Sequence, residues 1–83
     1  MKKTAVRLKP KRKIHLIGIG GIGMSAVARI LNRKGEHVTG SDLKESSIIK
    51  EMREEGIRCF KGHSGENLRD CDIVVYSTSI SDN

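Results

Sequence analysis

Between Lys13 and Gly35 the chain reads K-I-H-L-I-G-I-G-G-I-G-M-S-A-V-A-R-I-L-N-R-K-G, an apolar run that breaks at glycines and resumes with helical spacing. Ile14, Leu16, Ile17 and Ile19 form a short, almost continuous hydrophobic stretch, as expected of a central parallel strand covered on both faces. After the glycines, Met24, Val27, Ala28, Ile30 and Leu31 follow three-and-four spacing, which predicts a single apolar helix face. Arg33 and Lys34 suit the negative C-terminal end of that helix, and Gly35 supplies its stop. A strand, a glycine turn and a helix in this order leave few folds open.

The pattern then repeats. His37 to Ser41 predicts a second strand, Ser46 or Ser47 caps a helix running to about Glu55, and Gly56 ends it. Ile57 to Lys61 predicts a third strand. A polar connection, G-H-S-G-E-N-L-R-D-C-D, leads to a fourth strand over Ile73 to Ser77. Strands alternating with crossovers imply an α/β fold: a Rossmann-like, doubly wound parallel sheet of order 3-2-1-4. Such a domain normally adds another helix and strand after the fourth, so residues 13–83 are expected to be a domain truncated after strand four.

Eighty-three residues allow one small domain at most. Phe60 and Tyr76 are the only large aromatics, so the core must be built of Ile, Val, Leu and Met. The net charge of +6 is unevenly placed. Residues 1–13 hold seven Lys or Arg and no acid, whereas residues 14–83 hold nine Lys or Arg against ten Asp or Glu. The folded part is therefore near neutral, and residues 1–12, which contain the only proline, read as a basic solvated leader. Anionic membrane surface or nucleic acid is the competing use of that leader, and no nucleic-acid partner is expected for the folded part. It lacks the apolar core of a secretory signal, and no run approaches the ~20 apolar residues of a membrane span, so the expected location is cytoplasmic. Cys59 and Cys71 have no zinc-site spacing and read as reduced thiols, Cys59 as packing.

Gly18, Gly20 and Gly23 satisfy G-x-G-x-x-G between a strand and a helix, the context that gives the pattern meaning. On this reading Gly18 permits the tight turn, Gly20 lets a pyrophosphate approach the backbone, and Gly23 lets helix pack against strand. The unpaired N–H groups at the helix start, with the positive end of its dipole, form an anion site that needs no lysine. Ser25 adds a possible hydroxyl donor. Asp42, twenty-four residues after Gly18, stands near the position where dinucleotide folds place an acid on ribose hydroxyls. These features alone leave a nicotinamide or flavin enzyme as good a reading as any.

The longer string Gly18-Ile19-Gly20-Gly21-Ile22-Gly23-Met24-Ser25 goes beyond the general fingerprint. It resembles the N-terminal motif of the UDP-N-acetylmuramate–L-alanine ligases, members of the Mur ligases. Three further segments agree in order and spacing: Gly40-Ser41-Asp42, Gly62-His63-Ser64 with Asn67, and Val75-Tyr76-Ser77-Thr78-Ser79-Ile80. Two positions depart from the usual pattern, Ala26 where glycine is common and Ser79 where alanine is common.

The resemblance implies the first domain of a three-domain enzyme of peptidoglycan precursor synthesis. The full enzyme phosphorylates the muramyl carboxylate with ATP and Mg2+, and the amine of L-alanine attacks the acyl phosphate. The first domain holds the UDP part of UDP-N-acetylmuramate, while the second binds ATP and magnesium and the third binds L-alanine. No G-x-x-x-x-G-K-[ST] loop occurs in this sequence, so the chain alone is expected to bind without catalysing, with no catalytic residue, cofactor or metal of its own. Carried over residue by residue, Gly18 and Gly20 to Ser25 face the diphosphate, Asp42 with Gly62 and His63 the uridine end, and Ser77, Thr78 and Ser79 the sugar-phosphate side. His15 and His37 read as structural. The alternatives are the cofactor half of an NAD(P)-dependent oxidoreductase and a nucleotide-sensing regulatory domain of the kind attached to potassium transport systems.

Overall fold

The computed structural model describes residues 12–77. Lys13–Ile17 form β1, Ile22–Arg33 α1, His37–Asp42 β2, Ser47–Glu54 α2, Arg58–Lys61 β3 and Ile73–Val75 β4, with a 3-10 turn over Gly65–Leu68. All three strand pairings are parallel and the order is β3-β2-β1-β4, so β1 is central, as its apolar text requires. This is the doubly wound order expected from the sequence. The polar connection before β4 contains a 3-10 turn, which Ser64 caps by accepting from the Glu66 amide at 3.2 Å.

Capping sets the helix limits. Ser46 accepts from the Ile49 amide at 3.3 Å and starts α2, whereas α1 starts at Gly21 with no side-chain cap. Both helices end in the same double bond pattern, Gly35 N to Asn32 O with Glu36 N to Leu31 O, and Gly56 N to Arg53 O with Ile57 N to Met52 O. Arg29 ties the pair together by reaching both Glu51 and Glu55 of the second helix region, at 3.2 and 2.9 Å.

One apolar core lies between the helices and the sheet, formed by Ile14, Leu16, Ile19, Ala28, Val38, Ile49, Met52, Ile57 and Cys59. Met24 and Leu31 pack against it, but Val27 and Ile30 are 41% and 52% exposed, so the helix face is narrower than its periodicity suggests. Ser25 takes the inward position instead and is buried. Ile19 is fully buried although it lies beyond β1, in the turn. Its side chain lies over Gly40 of β2, where an added Cβ would sit 2.6 Å from Ile19 Cβ. Arg12, assigned to the leader on sequence, pairs with Glu36 at 3.0 Å and its carbonyl accepts from His37 N at 3.0 Å.

Gly40→Ala should therefore destabilise the fold by about 1–3 kcal/mol through overpacking against Ile19, although alanine ordinarily suits a strand better than glycine. Urea denaturation would read this as a lower midpoint, and an unchanged or raised midpoint would show that Ile19 relaxes without cost.

Candidate functional site

The glycine turn is fastened to the end of β2 before α1 begins. Gly18 N and Ile19 N both donate to the Ser41 carbonyl, at 2.8 and 3.0 Å, and Gly20 N donates to Asp42 Oδ2 at 2.9 Å. Gly21 N closes the turn on Gly18 O at 3.1 Å, with Gly18 at φ +82°, a conformation open to glycine at little cost. Every amide from 18 to 21 is thus engaged within the protein. The next three, on Ile22, Gly23 and Met24, are those that a helix leaves unpaired in its first turn, and no side chain caps them.

These amides stand beside a cleft of about 630 Å³ lined by Ile17, Gly18, Gly21, Gly23, Met24, Val27, Tyr76 and Ser77. It opens at the carboxyl ends of β1 and β4, where the strand order reverses from 2-1 to 1-4. Open parallel sheets take their ligands at such a point. Ile17 also walls a smaller cavity of about 160 Å³ on the opposite side of the sheet from the helices, with His15, Ser41, His63, Ser64, Gly65 and Leu68.

The small cavity is backed by polar residues at alternate positions of β1 and β2. His15 is 1% exposed, with Nδ1 2.7 Å from Thr39 Oγ1 and Nε2 3.2 Å from Ser41 Oγ. Ser41 Oγ lies 2.7 Å from His63 Nδ1. Burial lowers the His15 pKa below the ordinary histidine value, and the nearby His63 lowers it further. Both thiols are pushed up, Cys59 and Cys71 alike mainly by burial, so neither is an activated nucleophile. Among the described residues no group of three or more His, Cys, Asp or Glu is placed to hold a metal ion, and no helix is long and apolar enough to cross a membrane.

The sequence model described as "Mur ligase family, catalytic domain" matches residues 13–83. The chain belongs to the Mur ligase family. Among curated relatives, the UDP-N-acetylmuramate–L-alanine ligase of Sulfurihydrogenibium sp. is 54% identical over 69 residues, covering 83% of this chain and 15% of the relative. The enzyme of the same name from Clostridium perfringens is 51% identical over 73 residues, covering 87% and 16%. The crystal structure of UDP-N-acetylmuramate-alanine ligase MurC from Thermotoga maritima superposes with a TM-score of 0.76 at 43% identity, covering 84% of this chain and 16% of that one. This Mur ligase chain therefore spans about 15% of the length of the curated relatives it matches.

Within this Mur ligase domain the residues singled out by sequence divide into distinct groups. Gly18, Gly21, Gly23, Met24 and Ser77 line the large cleft, and Ile22 is 84% exposed at the helix start. His63 lines the smaller cavity, whereas Gly62 does not and instead donates its N–H to Asp42 O at 2.7 Å. Thr78 and Ser79 lie outside the described residues.

Gly20, Gly23, Ser25 and Asp42 have surroundings within the protein that spacing alone does not show. A Cβ on Gly20 would meet Asp42 Oδ2 at 2.9 Å and Ile49 Cδ1 at 3.0 Å, so this glycine is small for packing within the protein. A Cβ on Gly23 meets nothing within 4 Å, so it does not serve the contact of helix and strand. Ser25 donates its hydroxyl to Ile22 O at 3.0 Å and is not a free donor. Asp42 accepts from Gly20 N and, through Oδ1, from Lys44 N at 3.1 Å, and it lines neither cavity. Thr39, Ser41 and Ile17 were missed as site residues. For Thr39 and Ser41 the signal was available in polar residues at alternate positions of β2, where the apolar text of a central strand is the norm, and Ile17 carried none.

His15 gives a pH test. Its folded pKa lies below its unfolded one, so the unfolded chain takes up the proton more readily and stability is lost as pH falls through the unfolded value of about 6.5 toward the lower folded value. The urea midpoint should be lower at about pH 5.5 than at about pH 7.5, and His15→Gln should reduce the difference. A difference that His15→Gln leaves whole would place its origin elsewhere.

Proposed function

We propose that this chain is the UDP-binding first domain of a UDP-N-acetylmuramate–L-alanine ligase, residues 13–83 holding the nucleotide end of UDP-N-acetylmuramate. The observation that carries this reading is the pair of cavities meeting at Ile17, one beside the uncapped amides of α1 and the other beneath His63. A diphosphate at Ile22, Gly23 and Met24 would find N–H donors and the positive end of the helix dipole. A pyrimidine nucleoside would extend from there toward His63, and the sugar toward Ser77. The relatives named as UDP-N-acetylmuramate–L-alanine ligases favour this substrate over other nucleotides.

In the full ligase, ATP and Mg2+ would activate the muramyl carboxylate and L-alanine would attack it. The residues present do not fit those groups. The sequence has no phosphate loop with its lysine, and the glycine turn before α1 has no lysine following it in the first helical turn. The contribution of this chain is therefore to bind and orient the sugar nucleotide. An oxidoreductase reading would place Asp42 on a ribose, and Asp42 lines neither cavity.

Titration with UDP-N-acetylmuramate, or more weakly with UDP, should shift the backbone NMR signals of Ile22, Gly23, Met24 and His63. ATP with magnesium should leave them in place, and NAD shifting them as strongly would overturn the ligase reading. Gly23→Val is the steric test, because its Cβ enters open space in the free protein and the cleft that the diphosphate would fill. Affinity should fall at least tenfold, about 1.4 kcal/mol, with the circular dichroism unchanged. A folded valine variant that binds as the parent does would remove the anion from this cleft.

A further inference from the structure

The contacts behind His63 form a single chain of four side chains: Thr39 Oγ1, His15, Ser41 Oγ and His63 Nδ1, at successive distances of 2.7, 3.2 and 2.7 Å. Each hydroxyl has one proton to donate, and a neutral imidazole has one N–H and one lone pair. The chain can therefore be filled in only two directions. In one, His63 Nδ1 donates to Ser41, Ser41 donates to His15 Nε2, and His15 Nδ1 donates to Thr39. The Thr39 hydroxyl proton then has no protein partner among the described residues and is left to solvent at half-buried Thr39. In the other, Thr39 donates to His15 Nδ1, His15 Nε2 donates to Ser41, and Ser41 donates to His63 Nδ1. The proton left over is then Nε2–H of His63, at the exposed end of the chain.

The distances favour the second direction. Hydroxyl donors make shorter hydrogen bonds than N–H donors. Both 2.7 Å contacts are hydroxyl-donated in the second direction, and the 3.2 Å contact is N–H-donated. Burial also lowers the His15 pKa, which favours the neutral ring that the relay requires.

We propose that Thr39, His15 and Ser41 form a directed relay that holds the His63 ring with Nδ1 as acceptor and Nε2–H as donor, making His15 and Ser41 positioning residues for the nucleotide. The exposed edge of His63 then selects an acceptor oxygen on the nucleoside and disfavours a donor there. His63 itself touches the ligand, while His15 is separated from it by Ser41. For its ligand this rests on the nucleotide reading above, but the tautomers do not depend on it.

Long-range 15N NMR at about pH 7.5 reads the ring protons directly, and both His15 and His63 should carry theirs on Nε2. A proton on Nδ1 of either ring overturns the relay. A double-mutant cycle then separates positioning from general support of the fold. His15→Leu and Ser41→Ala should each weaken UDP binding about fivefold when His63 is present and less than about twofold in the His63→Ala background. His15→Gln, which retains an N–H toward Ser41, should recover most of the affinity. Equal losses in both backgrounds would show that these residues act on the fold and not through His63. If UDP does not bind the parent chain at all, the nucleotide reading fails, and the tautomers still decide the relay.

Discussion

The attachment of the glycine turn to the end of β2 is the constraint on which the rest of the structure depends. Two amides converge on the Ser41 carbonyl, a third reaches the Asp42 carboxylate, and Ile19 is driven into the core over Gly40. Together these fix where α1 starts and which way it points. The helix, in turn, sets one wall of the cleft and aims its first amides along it. A mobile turn would give the same sequence fingerprint without the same site. Hydrogen bonds to the interior and one buried isoleucine distinguish the two, at a place where the chain has no regular secondary structure to hold it.

Ser41 links the two halves of this arrangement. Its main-chain oxygen holds the turn on the helix side, and its side chain faces the other side of the sheet, between His15 and His63. Alternation along a strand makes such a division natural, because adjacent positions serve opposite faces. The helix-covered face is apolar and closed. The opposite face carries His15, Thr39 and Ser41, bonded to one another, and no buried polar side-chain atom among the described residues is left without a partner.

Most of the fold was legible in the sequence because its signals are local. Period, glycine position and cap chemistry gave the elements and their order, and the glycine fingerprint gave the position of the turn. The resemblance gave the family, which the motifs alone would have left open between a ligase and a dinucleotide enzyme. What was not legible depended on contacts between distant residues. Periodicity placed Val27 and Ile30 in a helix but could not say that both are exposed among the described residues. The fingerprint marked Gly20 as small without showing that the space belongs to Asp42 and Ile49. Asp42 itself fits a ribose-binding pattern by spacing, and only its bonds to Gly20 and Lys44 reveal a different occupation. The partnership of His15 with Thr39 and Ser41 needs strand register, which places His15 beside Thr39 and Ile17 beside Ser41.

The uncapped start of α1 has a consequence for chemical control of the site. Three main-chain N–H groups and a helix dipole form a positive surface that carries no ionisable group. It cannot be neutralised by raising the pH, acetylated, or replaced by exchanging one cation for another. An anion whose own charge is fixed would be held there with a strength that stays constant across the range in which cells vary their acidity. Regulation by proton or by side-chain modification would have to enter from the smaller cavity across the sheet, where the histidines are.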